Sequence, residues 1–297
     1  MYLKSSAIIV ISFLLLSCGE GKVTIDPDQF DPKIAIEGFL FPHKRVTRVF
    51  IWRNFPVDAN LQRLDLSLPY AQVTITDLET GDVYPLRYIP DYYYFEYVGN
   101  KLVIDYGKSY RLDVSASIDG KRLSASSITT IPNPGMEIVS INFDTLKYRQ
   151  RDANDNIINF LINMERSPGT NFYLATILAE NATIDNFIYD NPFTDESPED
   201  VAADLADYLY NYNWIQDTPL TAGQSRMELF WYLFWFYDRY KIIIFAADKN
   251  YQDFLKTYND VQEIDGNFHE PLFHIEGDGI GVFGSAVVDT IYVNVVP

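Results

Sequence analysis

One cysteine in 297 residues leaves no partner for a disulfide within the chain. A fold without a covalent staple has to hold through the burial of apolar surface. The material is present: 47% of residues are hydrophobic, and the aromatic share includes 22 Tyr, 20 Phe and 4 Trp. Tyrosine in such numbers suits half-buried strands and wet binding faces, because the ring is apolar and the hydroxyl can reach water. The formal net charge of −18 disfavours nucleic acid and anionic lipid as partners. Solubility explains that charge more simply than a dedicated cation site does.

The place of the cysteine adds a second constraint. Lys4 precedes Ala7–Leu16, ten residues that are apolar except for Ser12. A bilayer-spanning helix needs about 20 apolar residues, so this stretch reads as a cleaved secretory leader. Its end, Leu15-Leu16-Ser17-Cys18, has the form of a bacterial lipobox, in which the thiol takes a diacylglycerol and the chain is cut in front of it. The expectation is a signal peptide over 1–17, lipid attachment at Cys18 with palmitate-type acyl chains, and a polar tether over 18–31 that contains Pro27. Each buried CH₂ contributes about 0.8 kcal/mol, and two or more chains moor a protein without a spanning segment. An ordinary leader with an incidental cysteine is the competing reading. The position of Cys18 directly after the apolar run favours the anchor.

From Lys33 the pattern is that of strands. Val73 and Ile75 alternate with Thr74 and Thr76, "DLETG" turns, and a second alternating run follows, which predicts a hairpin. Asp119-Gly120 predicts a type I′ turn inside "GKSYRLDVSASIDGKRLSASSITT". "DYYYFEY" (91–97) reads as a strand with Tyr93, Phe95 and Tyr97 inward and Tyr92, Tyr94 and Glu96 outward. "IPNPG" (131–135) marks a boundary. Beyond it, "MEIVSINFDTLKY" reads as one strand, and "NIINFLINMER" and "NFYLATILAE" as a hairpin about "SPGT". Ser197, Pro198, Glu199 and Asp200 give a helix start, and Val201, Leu205, Tyr208 and Leu209 continue at helical spacing. "KNYQDFLKTYNDV" predicts a second helix, "ELFWYLFWFYDRYKIIIFAAD" two strands, and the C-terminal segment a glycine-rich bend before a final strand. The fold class that follows is mainly β. An Ig-like β-sandwich is expected over 32–131, and a second β-rich domain with one or two inserted helices over 136–297.

This layout resembles a family of Bacteroidota lipoproteins known as domain of unknown function 4249. The features that carry it are the lipobox with Cys18, "KIAIEGFL", "AQVTITDLETGDVYPL", "GKSYRLDVSA", "IPNP" and, most specific, the terminal "GIGVFGSAVVDTIYVNVV". The resemblance implies an outer-membrane lipoprotein encoded beside TonB-dependent transporters, facing the cell surface and assisting nutrient uptake. It brings no catalytic residue with it. Only Glu20, Asp26 and Asp28 follow the cysteine, where surface-exported members of this phylum often carry an acidic cluster.

Motifs for catalysis or metal binding fail on geometry. In "HEPLFH", His269 and His274 are five apart rather than four, and Pro271 would break a helix. His43 stands alone. "DANDN" (152–156) begins like a calcium loop, but Ile157 and Asn163 occupy the positions that need Gly and Glu. Gly279, Gly281 and Gly284 match G-x-G-x-x-G yet lead into a strand, so they read as a bend where backbones approach closely. "FTDESPED" reads as a helix start that favours negative charge. "FWYLFWFY" (230–237) is either an exposed aromatic platform or a strand buried on both faces; the lack of polar alternation favours burial. Tyr92, Tyr94, Trp231 and Trp235 are the candidate contacts for a partner or for a peptide, glycan or other nutrient. Thr145, in Asp144-Thr145-Leu146, matches an O-glycosylation pattern, and Thr290 a weaker copy. The chain is expected to be a non-enzyme, without metal or cofactor, that captures a solute for a transporter. An adhesin or envelope scaffold is the alternative, and a hydrolase with an unrecognised site the remotest reading.

Overall fold

The computed structural model describes residues 30–56, 59, 66–217, 221–260 and 270–297. The leader, Cys18, most of the tether and His269 lie outside the described residues. The chain divides into a unit of 1–31 with 55–59 and a second of 32–54 with 60–297; every element below belongs to the second. No helix among the described residues is long and apolar enough to cross a membrane.

The fold is mainly β, with strands in several sheets and two inserted helices. The first half contributes β1 (Ile34–Leu40), β2 (Phe50–Arg53), β3 (Gln72–Asp77), β4 (Val83–Pro85), β5 (Arg87–Ile89), β6 (Tyr94–Glu96), β7 (Ser109–Ile118) and β8 (Lys121–Thr130). The second half contributes β9 (Glu137–Ile141), β10 (Thr145–Lys147), β11 (Phe160–Glu165), β12 (Phe172–Ala179), α1 (Pro198–Ala203), β13 (Tyr210–Gln216), β14 (Gln224–Leu229) and β15 (Asp238–Ala247). It closes with α2 (Lys249–Asp260), β16 (Glu276–Gly277) and β17 (Gly279–Val296). The main sheet runs β13-β12-β15-β17-β1-β2, with β10 also on β17. The others run β16-β8-β7-β3-β4, β14-β11-β9 and β5-β6.

Period-two burial decides which side of each strand faces a core. Ile34, Ile36 and Leu40 of β1 are buried, as are Phe160, Ile162 and Met164 of β11 and Tyr240, Ile242 and Ile244 of β15. One cluster gathers Ile34, Ile51, Val73, Ile75, Tyr110, Leu112 and Ile131; another gathers Met136, Phe160, Met164, Tyr173, Ile177, Met227 and Ile242. β17 supplies Phe283 to the first and Val287, Val293 and Val295 to the second. β12 is buried on both faces, because Phe172 and Leu174 sit under Tyr251 and Leu255 of α2.

Two hairpins form as the local signals require. Asp119 and Gly120 have φ of 51° and 80°, and they join β7 to β8 in the register Ile118↔Lys121. β3 and β4 pair as Ile75↔Tyr84, but past Leu86 the chain leaves for a separate hairpin, β5 with β6.

Five expectations are corrected. "MEIVSINFDTLKY" is two strands: β9 pairs with β11, and β10 with β17. The "SPGT" segment does not close a hairpin, because β11 pairs with β9 and β14 while β12 pairs with β13 and β15. The first helix ends at Ala203; a 3₁₀ turn covers Leu205–Tyr208, and Tyr210 enters β13, where the alternation of "YNYNWIQ" outweighs helical spacing. "FWYLFWFY" is no strand. It leaves the β14 sheet and crosses to the β15 sheet through a 3₁₀ turn at Trp231–Leu233, with Phe234 and Phe236 buried. Tyr92 and Tyr93 lie in the β5–β6 turn, Tyr93 at φ 61°, so neither follows the strand alternation assigned to 91–97.

Gly279, Gly281 and Gly284, expected in a bend before the final strand, lie within β17 itself, and Gly281 is where backbones meet. Gly281 has φ of 103°, and a Cβ there would overlap the Ile36 carbonyl oxygen on β1. Gly81 also has positive φ, 78°, but nothing lies within 4 Å of its would-be Cβ. Gly81→Ala should therefore cost only the left-handed penalty of about 1–2 kcal/mol. Gly281→Ala should cost about 3 kcal/mol or more, from strain and overlap together. Urea titrations of the two variants measure this, and equal midpoints would refute it.

Candidate functional site

The Ile131–Asn133 segment after β8, the turn ahead of β12, and the β15–α2 junction converge on a cleft of about 590 Å³. Its floor is set by how α2 begins. Asp248 donates its backbone N–H to the Ser285 carbonyl (2.9 Å), and its own carbonyl accepts from Gln252 N–H (3.0 Å). Its Oδ1 caps the helix by accepting from Tyr251 N–H at 3.0 Å. Asn250 Nδ2 donates to the carbonyls of Ile128 on β8 (2.7 Å) and Phe283 on β17 (2.8 Å). The first turn of α2 is thus fixed to two sheets at once.

A buried polar chain continues from the cap. Asp248 Oδ2 is 2.6 Å from Thr129 Oγ1, which is 2.8 Å from Ser285 Oγ, which donates to the Thr130 carbonyl at 3.0 Å. Thr129 donates to that carboxylate oxygen, and Ser285 donates onward to the Thr130 carbonyl. Burial pushes the Asp248 carboxyl pKa up, outweighing the hydrogen bonds from Thr129 and the backbone that favour its charged form.

Two further buried polar side chains line the cleft. Thr170 and Gln252 are each only 8% exposed, and neither side chain has a hydrogen bond to another described residue. Asn171 and Gln216 stand beside them, the latter accepting from Lys256 Nζ at 2.8 Å. Asn133 donates to the Pro168 carbonyl at 2.8 Å. Thr129 and Ser285, the hydroxyls nearest a carboxylate, are buried behind the cleft rather than lining it. The described lining thus presents amide and hydroxyl groups to the cleft. Among the described residues no group of three or more His, Cys, Asp or Glu is placed to hold a metal.

The residues singled out from sequence lie elsewhere. Tyr92 is 62% exposed and stacks on Tyr94 at 5.6 Å; Tyr94 also meets Phe50 edge-on. Trp231 is half-buried, under the Arg149 guanidinium at 4.8 Å and against Tyr148 at 5.5 Å. Trp235 stacks on Phe187 and meets Tyr208. The tyrosine pair and the two tryptophans form separate clusters, and none lines the cleft. Thr145 is exposed at the start of β10. His274 Nε2 lies 2.7 Å from Asp253 Oδ2. Asp152 closes a turn by accepting from Asn154 and Asn156 N–H, and those bonds hold its pKa down.

Sequence reasoning missed Asp248, Thr170 and Gln252. A helix-capping Asp before "KNYQDF" was readable; the burial of all three was not. It also missed an aromatic row on β13: Tyr210, Tyr212 and Trp214 are exposed on one face. The edge of that strand is blunted, since Tyr212 and Trp214 donate their N–H groups to Asn211 and Asn213 Oδ1, both at 2.9 Å.

Against models of known protein families, the chain matches "Domain of unknown function (DUF4249)" over residues 20–291. No curated protein matches it.

The polar chain makes two predictions. Thr129→Val removes the central link and should cost about 1–3 kcal/mol in urea unfolding. Because folding raises the Asp248 pKa, its contribution is complete below the ordinary aspartate range and is lost as pH rises through the raised value. The stability deficit of Asp248→Asn should therefore be largest near about pH 4 and shrink towards about pH 7. A deficit that stays constant across that range would contradict the assignment.

Proposed function

This chain belongs to the DUF4249 family, and from that premise we propose that it is a lipid-anchored protein of the outer membrane, on the cell-surface face, that binds a solute for a TonB-dependent transporter. The anchor rests on Cys18, alone in the chain and directly after the apolar leader. The observation that carries the binding role is the cleft, where Thr170 and Gln252 are buried without side-chain partners among the described residues. Their polar ends are not sealed from solvent, so they are open to a molecule held in the cleft. The role is non-catalytic and calls for no metal or cofactor. The stack of exposed Tyr92 on half-buried Tyr94 offers a contact for a partner, and exposed Thr145 is the proposed site of an O-linked glycan.

Fractionation tests the anchor. Wild-type chain should stay with membranes and take up labelled palmitate, whereas Cys18→Ala should do neither. Retention of the variant on membranes would overturn the anchor. Affinity purification from detergent-solubilised membranes should recover a TonB-dependent transporter. Recovery of envelope scaffold components and no transporter would favour the adhesin or scaffold alternative.

A further inference from the structure

Resting on the binding role just proposed, we infer that the cleft beside α2 takes a neutral, hydroxyl-rich solute the size of a mono- or disaccharide. The size follows from about 590 Å³, within the range of small-molecule sites. The neutrality follows from how the charges at the cleft are committed. Lys249 is bonded to Asp253. The oxygens of Asp248 are taken by Thr129 and by Tyr251 N–H, and burial raises its pKa toward the neutral form. An anionic solute would meet no uncommitted cation among the lining residues, and it would approach against a net charge of −18.

The remaining polar surface is amide and hydroxyl. Gln252, Asn171 and Thr170 each offer both a donor and an acceptor. A sugar hydroxyl also donates and accepts, so each of these groups can be satisfied by one neighbour of that kind. Ile128 and Pro168 add apolar wall for the C–H faces of such a ring. No aromatic ring lines the cleft among the described residues, so recognition falls on hydrogen bonds rather than on stacking.

The experiment is a titration of the full lipidated chain, in a detergent without a sugar headgroup, followed by calorimetry and saturation-transfer NMR. The probes are xylose, N-acetylglucosamine and maltose as neutral solutes, with glucuronate and glucosamine as charged counterparts. At least one neutral probe should saturate, and neither charged probe should bind as tightly. Gln252→Ala and Thr170→Val should each weaken that binding about tenfold or more. Asn171→Ala, at a half-buried position that tolerates truncation, should weaken it in the same direction if the others fold poorly. Tyr70→Ala, at an exposed position outside the cleft lining, should leave it unchanged. Failure of every neutral probe to saturate overturns the inference, as does tighter binding of a charged one. Unaltered affinity in variants that melt like wild type overturns it too. Membrane retention through Cys18 and transporter recovery are read separately, so a cleft that does not bind leaves the anchor and the transporter partnership standing.

Discussion

β17 is the element the rest of the structure depends on. It begins parallel to β1, with Ile34↔Gly279 through Leu40↔Ser285. At the next residue it takes up β15 antiparallel, from Ala247↔Ala286 to Asp238↔Val295, and its end also pairs in parallel with β10. One strand thus contributes to both hydrophobic cores. The residues around its change of partner, Val282 to Val287, are buried without a break, as expected of a strand covered on both faces. Gly281 lets it approach β1, and Gly284 leaves room for α2, since a Cβ at 284 would lie 3.0 Å from Asp248 Oδ1.

The polar chain sits at that change of partner. Ser285 is the last residue paired with β1, and it reaches Thr129 on β8, while its carbonyl receives the N–H of Asp248. The Thr129–Asp248 and Thr129–Ser285 links join residues 119 and 156 positions apart. A buried carboxylate would ordinarily cost several kcal/mol. Here the Tyr251 N–H of the helix cap and the Thr129 hydroxyl bond its two oxygens and offset part of that cost, so the group serves as a joint. The cleft is a by-product of the joint. It opens where the segment after β8, the turn ahead of β12 and the start of α2 are brought together, and its unpaired amide and hydroxyl groups are what the joint leaves over.

What could be read in the sequence was what short stretches settle by themselves. Asp119-Gly120 fixes its own turn, Ser197 caps α1 by accepting from Asp200 N–H, and the α2 segment is helical over 249–260. "SPGT" looked like a hairpin because nothing local says that β11 and β12 belong to different sheets. "YLYNYNWIQ" carries helical and alternating spacing at once, and only the need of β12 for a partner on its outer edge decides between them. In "FWYLFWFY" the burial of Phe234 and Phe236 was legible but the crossing between sheets was not. The cleft was invisible for the same reason: Thr170 and Gln252 look like ordinary polar residues until distant segments bury them. Tyr92, Tyr94, Trp231 and Trp235 stood out by composition, which does not report convergence.

The central claim is that a single strand makes the two cores one cooperative body and so holds the cleft in shape. Native-state hydrogen exchange along β17 addresses it most directly. Amides near Phe283, paired with β1, and near Val293, paired with β15, should open with the same free energy and lose protection together as urea is added. Protection at one end that outlasts the other by several kcal/mol would show two bodies that merely share a segment, and the account would be wrong.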